Sequence, residues 1–94
     1  MTLAEFKASL SSDAPPALTP PLLGLWYDAR GDWDKAHQTV QNDDSPESAW
    51  VHAYLHRKEG DISNAHYWYR RAGKPPYSGS LESEWEQIVQ ALLE

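Results

Sequence analysis

Two of the four histidines in this chain have the spacing of metal ligands. His52 and His56 lie four residues apart in a segment predicted to be helical, so both imidazoles project from one face, about one turn apart. Zinc sites use this spacing, and His37 or His66 can add a ligand from a neighbouring helix. No glutamate follows His52, whereas His-Glu-x-x-His proteases need one as their base. Three interpretations stay open: packed, hydrogen-bonded histidines, which we favour; ligand contact; or a metal site. The favoured one predicts neither metal nor cofactor.

A stripe of aromatic and basic residues is the second pattern with a chemical meaning. Its members follow the i, i+4, i+7, i+8 spacing of one helix face: Trp50, Tyr54, Arg57 and Lys58. Trp, Tyr and Arg supply much of the binding energy at protein interfaces. The two cations can hold an acidic side chain or a carboxy-terminus. The stripe therefore predicts a binding surface, and the alternative is that Trp50 and Tyr54 belong to the core beneath a terminal helix.

Catalytic chemistry has little support elsewhere in the sequence. The serines cluster in predicted loops and helix caps, where their hydroxyl groups satisfy backbone amides. The grouped carboxylates, such as Glu82, Glu84 and Glu86, lie at predicted helix starts, where acids favour the helix dipole. No glycine-rich phosphate loop is present. We therefore predict that the protein is not an enzyme.

Composition narrows the class of protein. The 94 residues suffice for one small domain, and five Trp and five Tyr give it the aromatic mass for a core. With no cysteine, neither a disulfide nor a thiolate metal site can form, which fits a reducing compartment. A net charge of −6 disfavours nucleic acid as a partner, and no apolar run has the length of a membrane span or signal. We expect a cytoplasmic protein with no membrane association.

Caps, prolines and apolar periodicity predict six helices, near residues 3–10, 21–30, 33–42, 46–59, 62–72 and 80–93. The predicted organisation is an N-terminal helix in 1–12, a Pro-rich linker in 13–20 and a helical domain in 21–94. Leu3, Phe6 and Leu10 make a stripe on a helix too short to be stable alone, so we expect it to dock on the chain's own helices.

The chain also contains an internal repeat. Gly31-Asp32 recurs as Gly60-Asp61, 29 residues later (60 − 31), and the same shift superposes Ala36 on Ala65. This pattern is typical of a helix, a tight turn and a second helix packed closely on the first, with small residues at the contact. Repeats of this kind stack into arrays, and most such arrays bind other proteins.

The first copy, Leu23-Gly24-x-x-Tyr27-x-x-x-Gly31-Asp32-x-x-x-Ala36, resembles the tetratricopeptide repeat consensus. The tail of the second copy, Ala65-His-Tyr-Trp68-Tyr69-Arg70-Arg71-Ala72, is similar to the Sel-like relatives of that family. The resemblance spans residues 18–75, although His52 and His56 replace the usual Leu and Tyr and the repeat is shorter than about 34 residues. It implies that the first helices carry a ligand-facing side: Leu25, Asp28 and Ala29, then Trp50, Tyr54, Arg57 and Lys58.

Together these observations predict an all-α fold. It comprises two tetratricopeptide-like repeats (about 18–45 and 46–75), a short N-terminal helix and a C-terminal helix (80–93) that covers the end of the array. The predicted function is a non-enzymatic protein-interaction module that binds a protein or peptide, with an acidic segment as one candidate. The alternatives are a small metal-dependent hydrolase that uses His52 and His56, and a homodimeric structural or regulatory protein. Monomer and homodimer both stay open.

Overall fold

The computed structural model describes every residue from Met1 to Glu94 and is all-helical, as predicted. Its six helices are α1 (Leu3–Ser9), α2 (Pro20–Ala29), α3 (Trp33–Gln41), α4 (Pro46–Glu59), α5 (Ile62–Ala72) and α6 (Leu81–Leu93). The predicted bounds agree with these to within one residue at each end. None of the six combines the length and the apolar character that crossing a bilayer requires.

Local chemistry explains where the helices begin and end. Thr2 and Glu5 form the expected capping box at α1, and Ser45, Asp61 and Ser80 each accept a backbone hydrogen bond at the start of their helices. Gly31 and Gly60 have φ of 83° and 91°, which confirms the prediction of a left-handed residue in each turn. The two turns therefore fold α2 onto α3 and α4 onto α5.

Small residues bring the helices of these hairpins close together. Ala36, Ala53 and Ala65 are almost completely buried, as the repeat predicts. At Gly24, an added Cβ would lie 2.7 Å from Val40 Cγ1, so only glycine allows α2 to approach α3 this closely. The two hairpins then pack side by side, with α4 against both α2 and α3. One continuous hydrophobic core results.

The terminal helices lie on the same side of this core. α6 packs on α4, α2 and α1, which places it along the first helices of both hairpins and not at the end of the array. Trp85 of α6 donates from Nε1 to the Leu25 carbonyl oxygen at 3.0 Å. Phe6 of α1 is fully buried, with its ring centroid 5.7 Å from that of Trp85. The short N-terminal helix therefore docks on its own chain, as expected.

Candidate functional site

The predicted binding stripe is largely covered in the folded chain. Leu25 is completely buried in the core, and Asp28, Trp50 and Tyr54 are each less than a tenth exposed. Lys58 is the most exposed member, with 39% of its side-chain surface accessible. The structure thus does not bring the six predicted residues together on one open surface.

Arg57 is occupied by a buried carboxylate of α6. Its Nη1 donates to Glu84 Oε1 at 2.9 Å, and the Glu84 side chain is only 1% exposed. Tyr69 of α5 donates its hydroxyl proton to the other oxygen of Glu84. Burial raises the pKa of Tyr69 and the adjacent carboxylate raises it further, so its hydroxyl stays protonated and keeps donating. These contacts fasten the start of α6 to the second hairpin.

Lys58 and Tyr54 converge on a second buried carboxylate, Asp28 of α2. Lys58 Nζ donates to Asp28 Oδ1 at 2.9 Å, and the Tyr54 hydroxyl donates to Oδ2 at 2.9 Å. Burial raises the pKa of Tyr54, and the negative charge of Asp28 raises it further. Each oxygen of Asp28 thus has a donor, and the pair of contacts ties α2 to α4.

Beside this network lies a cleft of about 440 Å³, which we call the α6 cleft. Side chains of α1, α2, α4 and α6 line it: Lys7, Leu10, Asp28, Ala29, Tyr54, Lys58, Leu81, Glu82, Trp85 and Glu86. Three of the predicted binding residues therefore share a cavity, namely Asp28, Tyr54 and Lys58. Trp50 lines a different cleft, of about 290 Å³, where Lys74 Nζ stands 4.3 Å from its ring centroid.

A separate cluster forms where α3, α4 and α5 meet, and we call it the histidine cluster. His37, His52 and His56 each offer a ring nitrogen, and these three atoms all lie within 4.8 Å of one another. His37 Nε2 and His52 Nε2 are 2.9 Å apart. His66, the other candidate for a third ligand, is exposed on α5 and does not belong to this group.

Aromatic and acidic side chains hold the three rings of the histidine cluster in place. Trp33 stacks on His37 with centroids 5.0 Å apart, and Trp68 stacks on His52 at 3.8 Å. His56 Nδ1 lies 2.7 Å from Glu59 Oε1. Beside the rings is a cavity of about 350 Å³.

Burial lowers the pKa of His52 to about 3, and repulsion by the neighbouring His37, His56 and Arg71 adds to this shift. The pKa of His37 is lowered as well, again mainly through burial. Both rings are therefore neutral at physiological pH, and each carries a nitrogen lone pair.

The role of Glu84 differs from the one its position predicts, which is that of an acid at a helix start beside Glu82 and Glu86. A usable signal was present, because Leu81, Glu84, Trp85 and Ile88 share one helix face by the i, i+3, i+4, i+7 rule. An acid on an apolar face indicates a buried cationic partner. In the structure that partner is Arg57.

Comparison with known proteins assigns neither a family nor a function to this chain. Neither a family model, nor a curated protein, nor a solved structure matches this sequence significantly.

Proposed function

We propose that this chain is a non-enzymatic protein-interaction module that binds a peptide or partner helix in the α6 cleft. In this proposal the two hairpins are tetratricopeptide-like repeats, and α6 occupies part of the side that such repeats present to their ligands. The absence of cysteine fits the reducing cytoplasm, where we propose that the module acts.

One observation carries the proposal: five hydrophobic and five charged residues meet at a single cleft. Leu10, Leu81 and Trp85 supply apolar wall, and Asp28 with Lys58 supplies a fixed ion pair. Binding sites are typically concave and apolar with a few well-placed polar groups. A cleft of this size fits one or two partner side chains, and not a whole folded surface.

The ammonium group of Lys58, on a partly exposed side chain, indicates which residue type the partner should present. An ammonium group has three protons to donate, and the Asp28 contact uses one of them. A carboxylate of the partner can accept another. We therefore expect an apolar side chain in the α6 cleft and an acidic residue close to it in the partner sequence. Arg57 has no such role in this proposal, because Glu84 and the Gly79 carbonyl oxygen already engage its guanidinium.

The test is selection from a displayed library of random peptides, followed by measurement of affinity for two matched variants. Ala29→Arg places a long side chain into the α6 cleft from the exposed end of α2. Ala91→Arg makes the same change at an exposed position on α6, beside the cleft that contains Trp50. The proposal predicts that Ala29→Arg abolishes binding and that Ala91→Arg leaves it unchanged, with normal circular-dichroism spectra for both.

Two results would contradict the proposal. One is a library that yields no binding sequences at all. The other is a set of peptides whose binding survives Ala29→Arg or is lost with Ala91→Arg, because either result puts the binding surface elsewhere. A molecular mass of twice the chain mass in solution, reduced to the chain mass by Ala29→Arg, would favour the homodimer alternative instead.

A further inference from the structure

We propose that the histidine cluster is a binding site for a divalent transition-metal ion, with Zn²⁺ as the expected occupant. His37, His52 and His56 would each give one nitrogen, and a water molecule or a small exogenous ligand would complete the coordination. This inference goes beyond the proposed function and is independent of it, because the cluster and the α6 cleft share no lining residue.

Distances in the cluster are close to those that zinc requires. Zn–N bonds are about 2.0–2.1 Å long, so a tetrahedral ion holds its nitrogens about 3.3 Å apart. His37 Nε2 and His52 Nε2 are 2.9 Å apart, and no pair of the three donor atoms exceeds 4.8 Å. Moving from the present arrangement to a coordinated one therefore changes the widest separation by about 1.5 Å or less.

The surroundings of the rings are compatible with ligation. Glu59 accepts a hydrogen bond from Nδ1–H of His56, which leaves the lone pair of that ring on Nε2. Asn64 Nδ2 lies 3.4 Å from this Nε2 and would have to move aside for a metal ion. A carboxylate behind a metal-bound histidine is a common outer-shell arrangement and sets both the tautomer and the orientation of the ring. Trp33 and Trp68 fix the planes of the other two rings by stacking.

A second observation concerns the protons of the histidine cluster. Buried His52 Nδ1 has no hydrogen-bond partner, and it keeps none when Nε2 is the ligating atom, so it is the two facing Nε2 atoms that point to a metal ion. The facing nitrogens of His37 and His52 also need a proton between them, since two bare lone pairs at 2.9 Å repel each other. One proton shared in an N–H···N hydrogen bond satisfies this pair in the absence of metal, and a metal ion would replace that proton and accept both Nε2 lone pairs.

The adjoining cavity indicates an open coordination position. It has a volume of about 350 Å³, and its remaining walls are Gln41, Asn64, Tyr67 and Trp68. Structural zinc sites are closed by four protein ligands, whereas three ligands and an open position leave room for an exchangeable water. None of the other lining residues brings a carboxylate, a thiolate or a further imidazole, so we expect the fourth ligand to be a water molecule or a small exogenous ligand.

Isothermal titration of the untagged full-length chain with zinc chloride tests the proposal. We expect uptake of one Zn²⁺ per chain, with Mg²⁺ producing no heat because imidazole is a poor ligand for it. His52→Gln and His37→Gln should abolish stoichiometric uptake. Since His37 is only half-buried, its variant serves if His52→Gln fails to fold. Glu59→Gln should weaken binding about 10–100-fold without removing a ligand.

His66→Gln is the matched control, because it removes an exposed histidine outside the cluster. It should bind zinc with wild-type affinity, and so should Ala29→Arg, which alters only the α6 cleft. Substitution with Co²⁺ should give the visible absorption of a low-coordinate site, absent from His37→Gln. Absence of stoichiometric uptake would overturn the proposal. Equal weakening by His66→Gln and His37→Gln would do so too, as would uptake of one ion per two chains with doubling of the mass.

Discussion

The buried Glu84–Arg57 pair makes a sharp prediction about what holds α6 in place. Glu84→Ala removes the carboxylate and leaves the Arg57 guanidinium, 18% exposed, without its counter-charge. It also leaves the Tyr69 hydroxyl without its acceptor. Breaking a buried ion pair by removing one partner costs about 3–5 kcal/mol. Because solvent reaches part of Arg57, we expect the lower end of this range, about 3 kcal/mol.

This loss is large for a domain of this size. The 94 residues give an expected free energy of unfolding of about 5–14 kcal/mol. A loss of about 3 kcal/mol should lower Tm by about 12–24 °C, at 4–8 °C per kcal/mol for a chain of this length. Thermal unfolding followed by circular dichroism, with urea unfolding at 25 °C as a second measurement, gives both quantities.

Glu86→Ala provides the internal control on the same helix. Glu86 pairs with Lys7, but the two side chains are 36% and 46% exposed, and surface pairs of this kind contribute at most about 1 kcal/mol. The change in helix propensity is the same for both substitutions, so it cancels in the comparison. Equal destabilisation by Glu84→Ala and Glu86→Ala would refute the reasoning. So would a double-mutant cycle between Arg57→Met and Glu84→Gln that showed no coupling energy.

Three further predictions concern the architecture. Ala65→Leu should lower the free energy of unfolding by about 1–3 kcal/mol, because it overpacks the α4–α5 contact. Ala8→Leu, at an exposed position, should not lower it. Equal Tm values for the two variants would count against the repeat alignment. Gly60→Ala should cost about 1 kcal/mol in urea unfolding. An added Cβ there meets nothing within 4 Å, so the cost is that of φ 91° alone, and an unchanged midpoint would contradict it. Deleting residues 1–12 should lower Tm without changing the number of chains per particle in solution, because Phe6 docks on its own chain. A change in that number would instead show exchange between subunits.

The helices themselves were predictable because their signals are local. Capping side chains, a proline in the first turn and a glycine after the last turn lie within a few residues of each helix end. Gly31 and Gly60 illustrate this, since the Gly-Asp pair alone indicated both turns. The close contacts at Gly24 and Ala65 also followed from the repeat, because small residues at fixed spacing in a helical hairpin allow the two helices to approach closely.

The burial of the aromatic and basic stripe was not predictable from local signals. Helical spacing shows which residues share a face, but what covers that face depends on contacts between segments far apart in the sequence. Trp85 bonds to the Leu25 carbonyl oxygen across 60 positions of sequence. Arg57 and Lys58 look free in the sequence because their counter-charges, Glu84 and Asp28, lie on other helices.

The histidine cluster was predictable only in its local part, since contacts between distant segments decide which histidine joins the pair on α4. The i, i+4 spacing paired His52 with His56, but it left His37 and His66 as equal candidates for the third position. His37 and His66 occupy equivalent positions of the two repeats. Only the helix that carries His37, α3, faces the first helix of a following hairpin. α6, the helix after α5, packs on α4, α2 and α1, so His66 is exposed while His37 meets α4.

The measurement that tests the central claim most directly is an NMR titration of the ¹⁵N-labelled chain with a peptide selected on it. If the α6 cleft is the binding surface, the amide signals that shift should cluster around Ala29, Lys58 and Leu81, and those of His37 and Tyr67 should stay in place. Shifts confined to the α3–α5 face, or spread evenly over the chain, would contradict the account.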